Sequence, residues 1–149
     1  MDRIANNLYI GSSSEAHDSK KLNLYEIDYC IGLTSHLETL NIGWDLYLED
    51  NSSNRLLHYI EPVILCLIKL RAGKKILLHS GNSYSRASAI ATILFSVLQD
   101  VKHEEAYKEI YLRCPPARLM NKAHIPFIKE TSSYLRKKYC GSRSRTTGS

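Results

Sequence analysis

Apolar residues fall into two kinds of run along this chain. The short runs, bounded by polar or glycine-containing segments, predict strands: NLYIG closed by Gly11, DYCIGLT, and KKILLH. The last is apolar on both faces, as expected of a strand buried within a mostly parallel sheet. In WDLYLED, Trp44, Leu46 and Leu48 alternate with Asp45, Tyr47 and Glu49, the pattern of a half-buried strand. The longer runs predict helices. SSEAHDSKKLNLY suggests one short helix with a serine cap and Glu15 early in it. From Arg55 to Arg71 apolar residues recur at helical spacing, and Pro62 inside that run predicts a kink or a restart. From Ala87 to Leu98 nearly every residue is apolar, so this helix should be central. HEEAYKEIYLRC is amphipathic and stopped by Pro115-Pro116. A last helix is expected from near Ala123 to Pro126 as far as about Tyr139.

Strands alternating with helices predict an α/β domain, a central mostly parallel sheet flanked by helices on both faces. At 149 residues the chain suits one domain, read as 1–140, and its Gly/Ser-rich end, 141–149, has the composition of a disordered tail. No apolar run reaches the ~18 residues of a membrane span. No secretory signal is expected, because MDRIANNLYIG lacks an apolar stretch behind a basic start. The net charge of +5 is carried by the end of the chain: residues 136–149 hold Arg136, Lys137, Lys138, Arg143 and Arg145 and no acid. Without those five, fifteen basic residues face fifteen acidic ones, so the charge gives no reason to expect a nucleic-acid partner. Cys30, Cys66, Cys114 and Cys140 are widely scattered, and Cys30 and Cys66 lie in apolar runs. Such spacing suits core thiols in a reducing cytoplasmic or nuclear setting, with no metal and no cofactor expected.

The chemistry concentrates in LLHSGNSYSRASA, residues 77–89. A buried strand runs into a small-residue turn and then into a helix. Backbone N–H groups at a tight turn, together with the positive end of a helix, make an anion site. Ser80, Gly81, Asn82, Ser83 and Ser85 let the backbone curl closely, and Arg86 can close the ring with paired N–H bonds to phosphate oxygens. The same residues also suit a plain strand–helix connection with a serine cap and a solvated arginine.

HSGNSYSR, from His79 to Arg86, resembles the signature loop of the cysteine-based protein phosphatases, H-C-x-x-G-x-x-R, with serine at the cysteine. Around it the chain resembles the dual-specificity branch over roughly residues 4 to 135. The carriers are IANNLYIGS, Gly32-Leu33-Thr34, DNSSNRLLHY, Glu104-Glu105-Ala106-Tyr107, Arg113-Cys114-Pro115, Met120-Asn121 and Phe127, in that order. The resemblance implies the phosphatase fold and a phosphorylated Ser, Thr or Tyr side chain of a protein or phosphopeptide as ligand. It puts Ser80 at the nucleophile, Arg86 at the equatorial phosphate oxygens, and Asp50, thirty residues before Ser80, at the general acid. Glu49 is the weaker acid candidate, since strand alternation points it the other way. The resemblance puts His79 behind the loop in support of the nucleophile, although a buried core histidine reads the same. Tyr84 either walls the pocket or packs. Asn121 belongs with the supporting residues. Arg118 and Lys122 suit either a second phosphate or a solvated face.

Three departures bear on activity. A cysteine thiol starts near pKa ~8.5 and can be pulled below neutrality by such a loop, whereas a serine hydroxyl starts several units higher. With Ser80 the loop can hold phosphate without cleaving it. Ser83 stands at the family's glycine, so the loop must accept a Cβ or change shape. Ala87 stands where the family has a hydroxyl that steadies the thiolate, and Ser88 is one place late. Two readings follow: a natural pseudophosphatase, or an active phosphatase whose cysteine has been replaced by Ser80. An unrelated α/β binding protein is the third.

Overall fold

A computed structural model of the chain describes residues 1–34, 43–81 and 83–148, with side chains as far as 141. The first half of the chain comprises strands β1 (Asp2–Ala5) and β2 (Leu8–Gly11), helices α1 (Ser13–Ala16) and α2 (Ser19–Leu24), strands β3 (Tyr29–Thr34) and β4 (Gly43–Tyr47), and helix α3 (Leu56–Arg71). Strand β5 (Ile76–Ser80) and helices α4 (Ser85–Gln99) and α5 (His103–Arg113) follow. Two 3-10 turns, Pro115–Leu119 and Lys122–His124, lead into α6 (Ile125–Gly148).

The strands form one sheet in the order β1-β2-β5-β3-β4. β2, β5, β3 and β4 run parallel, and β1 is added antiparallel at one edge. β5 is therefore central and buried at every position, as its two-sided apolar sequence requires. Helices cover both faces. Ala16 and Leu22 of α1 and α2 pack with Cys30 and Leu77 on one side. On the other, α3, α4, α5 and α6 enclose the larger core with Ile31, Leu33, Ile76 and Leu78. Helix α4 is buried continuously from Ala87 to Val97, which explains its unbroken apolar sequence.

Four local expectations change. β1 is a strand that the pattern did not announce, turned back at Asn6-Asn7, where Asn7 takes φ 63, a value asparagine tolerates. The expected first helix is two, capped separately by Ser12 and Asp18. Helix α3 continues through Pro62. Its buried stripe, Tyr59, Val63, Cys66 and Leu67, is continuous across the proline, and this packing outweighs the lost backbone bond. The helical backbone of α6 runs on to Gly148, beyond the expected end near Tyr139. Among the described residues no helix is long and apolar enough to cross a membrane.

Candidate functional site

The loop after β5 opens at the carboxyl end of the central strand, where α/β sheets place their ligands. Ser80 is only 1% exposed. Its hydroxyl donates to the Ser83 carbonyl at 2.9 Å and accepts from the Ala87 N–H at 3.1 Å. Both partners are backbone groups, and among the described residues no side-chain base bonds to it. The loop has curled around its own first side chain.

Gly81 and Ser83 form the exposed rim. A Cβ on Gly81 would lie 2.9 Å from Arg86 Nη2, so the absent side chain is what lets the guanidinium approach the loop. Tyr84 is half-buried and packs against the larger core, and burial pushes its hydroxyl pKa up. Asn82 lies outside the described residues. Ala87 supplies its N–H to Ser80, while the Ser88 hydroxyl is buried with no partner among the described residues and does not replace the missing one.

The loop after β4 is stitched to this one. Arg86 Nη1 donates to the Leu48 carbonyl at 3.2 Å. Ser85, the first residue of α4, donates its hydroxyl to Asp50 Oδ1 at 2.7 Å. Asn121 adds two contacts, its N–H to Ser85 Oγ at 2.8 Å and its Nδ2 to the Asp50 carbonyl at 2.7 Å. The pattern thus brings Ser80, Ser83, Ser85, Arg86, Asp50 and Asn121 into one neighbourhood. Glu49 instead accepts from the Tyr47 hydroxyl at 2.7 Å, and Arg118 stands over the Tyr111 ring, 4.6 Å from its centroid.

Three residues that the sequence reading missed complete the site. His124 Nε2 meets Asp50 Oδ1 at 2.8 Å, and His124 Nδ1 meets the Tyr59 hydroxyl at 2.7 Å. Asn54 Nδ2 donates to Tyr59 at 3.1 Å. An ionised carboxylate only accepts, so Nε2 carries the ring proton and Tyr59 donates to Nδ1. Burial works to raise the Asp50 pKa, but the hydrogen bonds from Ser85 and His124, with the Arg86 charge nearby, outweigh it and hold the carboxyl below its usual value. Burial pushes His124 down, and the Asp50 partnership only partly opposes this. Burial likewise drives Tyr59 up to about 12. The resting arrangement is a neutral imidazole against an ionised carboxylate.

His79 lies beneath, on β5, 4% exposed, with Nε2 buried and without a hydrogen-bond partner among the described residues. Its ring packs over Gly32 on the neighbouring strand, where a Cβ would fall 2.9 Å from Nε2. Burial, with His17 adding, lowers its pKa to about 4, so it is neutral near pH 7.

No family model and no curated protein matches the sequence. Solved structures do match its fold. Human DUSP28 aligns over 93% of this chain and 99% of its own, at 18% identity and a TM-score of 0.82. A mouse protein described as a dual specificity phosphatase, complexed with zinc tungstate, covers 92% of this chain and 89% of its own, at 18% identity and a TM-score of 0.80. The human tyrosine phosphatase-like serine/threonine/tyrosine-interacting protein covers 90% and 96%, at 19% identity and a TM-score of 0.76. The chain has the dual-specificity phosphatase fold.

Proposed function

We propose that this chain is a pseudophosphatase that captures phosphorylated Ser, Thr or Tyr side chains of partner proteins, in the cytoplasm or nucleus, without hydrolysing them. The carrying observation is the closure of Ser80. Its hydroxyl is buried, spends its proton on the Ser83 carbonyl and has no side-chain base among the described residues, which leaves it without the activation that attack on phosphorus needs. The holding parts remain: Arg86 beside Gly81, the rim, and the N-terminus of α4. Compatible precedents are the tungstate complex of the mouse protein and the interacting role in the human protein's name. Four buried free cysteines suit a reducing compartment.

The test is thermal unfolding with tungstate, sulfate or a phosphopeptide. Each should raise the melting temperature, and Arg86→Ala should remove the shift. No shift in the parent chain would refute capture.

One observation favours a second reading, an enzyme whose residue 80 is natively cysteine. The Ala87 N–H already points at the side-chain atom of residue 80, where it would stabilise a thiolate. On that reading Ser80→Cys restores hydrolysis of an aryl phosphate through a cysteinyl-phosphate. An inert Ser80→Cys protein counts against it.

A further inference from the structure

We infer that His124 is a positioning residue of this site, and that Asp50, which it grips, joins the two loops as a fixed clasp instead of serving as a proton donor. The inference deepens the reading above and depends on it for the ligand alone.

The hydrogen bonds form a closed circuit. Asn54 binds the backbone of Glu49 in both directions, accepting from its N–H at 2.9 Å and donating to its carbonyl at 2.7 Å. From Asn54 the path runs through Tyr59 and His124 to Asp50, the residue next to Glu49. Tyr59 is fully buried and stacked on Phe127, with ring centroids 5.1 Å apart and planes 10° apart. His124 is fully buried as well. It cannot touch a ligand and can act only through Asp50.

At Asp50 one oxygen takes two short bonds, from Ser85 and from His124. Donors converging on a carboxylate stabilise its ionised form, and a proton on that oxygen would displace both. A general acid needs the opposite, a carboxyl that retains its proton toward neutral pH, which two donors converging on Oδ1 oppose. Meanwhile the Asp50 carbonyl is held by Asn121. The loop after β4, the start of α4 and the turn before α6 thus meet on one residue. The titratable and charged groups around it are Glu49 in its own loop, Tyr59 of α3, Arg86 of α4 and His124 of the turn.

The test compares His124→Leu, which fills the space without a donor, with His124→Gln, which keeps an N–H donor at the Nε2 position. The Asp50 carboxyl is titrated by carbon NMR in the full chain, and sulfate affinity is measured from pH 6 to 4.5, where sulfate stays a dianion. The parent and His124→Gln should ionise Asp50 below the usual carboxylate range, and their sulfate affinity should not follow Asp50 across this window. In His124→Leu the Asp50 ionisation constant should fall about tenfold, and sulfate should bind more tightly on acidification as Asp50 is neutralised. His124→Leu behaving as the parent, or His124→Gln behaving as His124→Leu, overturns the inference. Histidine nitrogen NMR of the parent needs no variant: a neutral ring protonated at Nε2 is expected, and an Nδ1–H ring or a freely titrating one overturns it. A parent that binds no sulfate refutes phosphate capture, while the Asp50 titration still decides the role of His124.

Discussion

Ser85 Oγ donates to Asp50 Oδ1 across 2.7 Å, joining the first residue of α4 to the loop that follows β4. A carboxylate is thereby fixed within one residue of Arg86. Asp50→Asn keeps an oxygen for Ser85 and His124 and removes the charge. It should tighten tungstate binding severalfold near pH 7, on the scale of about 1 kcal/mol for a nearby unit charge in a watery setting. Isothermal titration calorimetry reads this directly, and weaker binding would mean that the charge aligns Arg86 more than it repels the ligand.

The neutral His79 makes stability depend on pH. The unfolded ring takes a proton near 6.5, whereas the folded one resists until about 4. Between those values the unfolded state binds more protons, so stability falls as pH drops and the loss is complete only below the folded value. The loss should reach about 2 kcal/mol by pH 5, with His124 acting in the same direction. Urea midpoints from pH 7 to 5 should slope accordingly, and His79→Gln should flatten most of that slope.

Tyr59→Phe keeps the stack on Phe127 but leaves the buried His124 Nδ1 without its donor. A buried acceptor left unsatisfied costs about 1–3 kcal/mol. The unfolding free energy from urea titration should fall by that amount, read as a lower midpoint at an unchanged m-value, since the fold is retained.

Gly81→Ala separates ligand capture from stability. Its new Cβ would stand 2.9 Å from Arg86 Nη2, at the exposed rim. The guanidinium must move, so tungstate affinity should drop about tenfold or more, the scale of a charge-assisted hydrogen bond. The melting temperature without ligand should barely change.

Elements carried by continuous apolar runs were legible in the sequence. KKILLH and the run from Ala87 to Leu98 became β5 and α4 because a residue buried on every side must be apolar. The loop from Ser80 to Arg86 was legible because its chemistry is local, strand to turn to helix. β1 was not, since DRIA has no clear alternation and is held by hairpin pairing with β2. Nor was the circuit through His124, whose partners Asp50 and Tyr59 lie far away in sequence. A histidine at the entry to a helix gives no periodic signal, and the one hint was its position three residues after Asn121. At Pro62 the helix does not restart, because packing along α3 outweighs the lost backbone bond.

The central position of β5 has a consequence for how a ligand is received. Leu77 to His79 are hydrogen-bonded into the sheet between β2 and β3, so their amides should exchange with solvent only when the whole domain opens. The rim at Gly81 and Ser83 is exposed to solvent. For the anion capture proposed above, a floor already fixed in the sheet would spare much of the entropy of ordering a site.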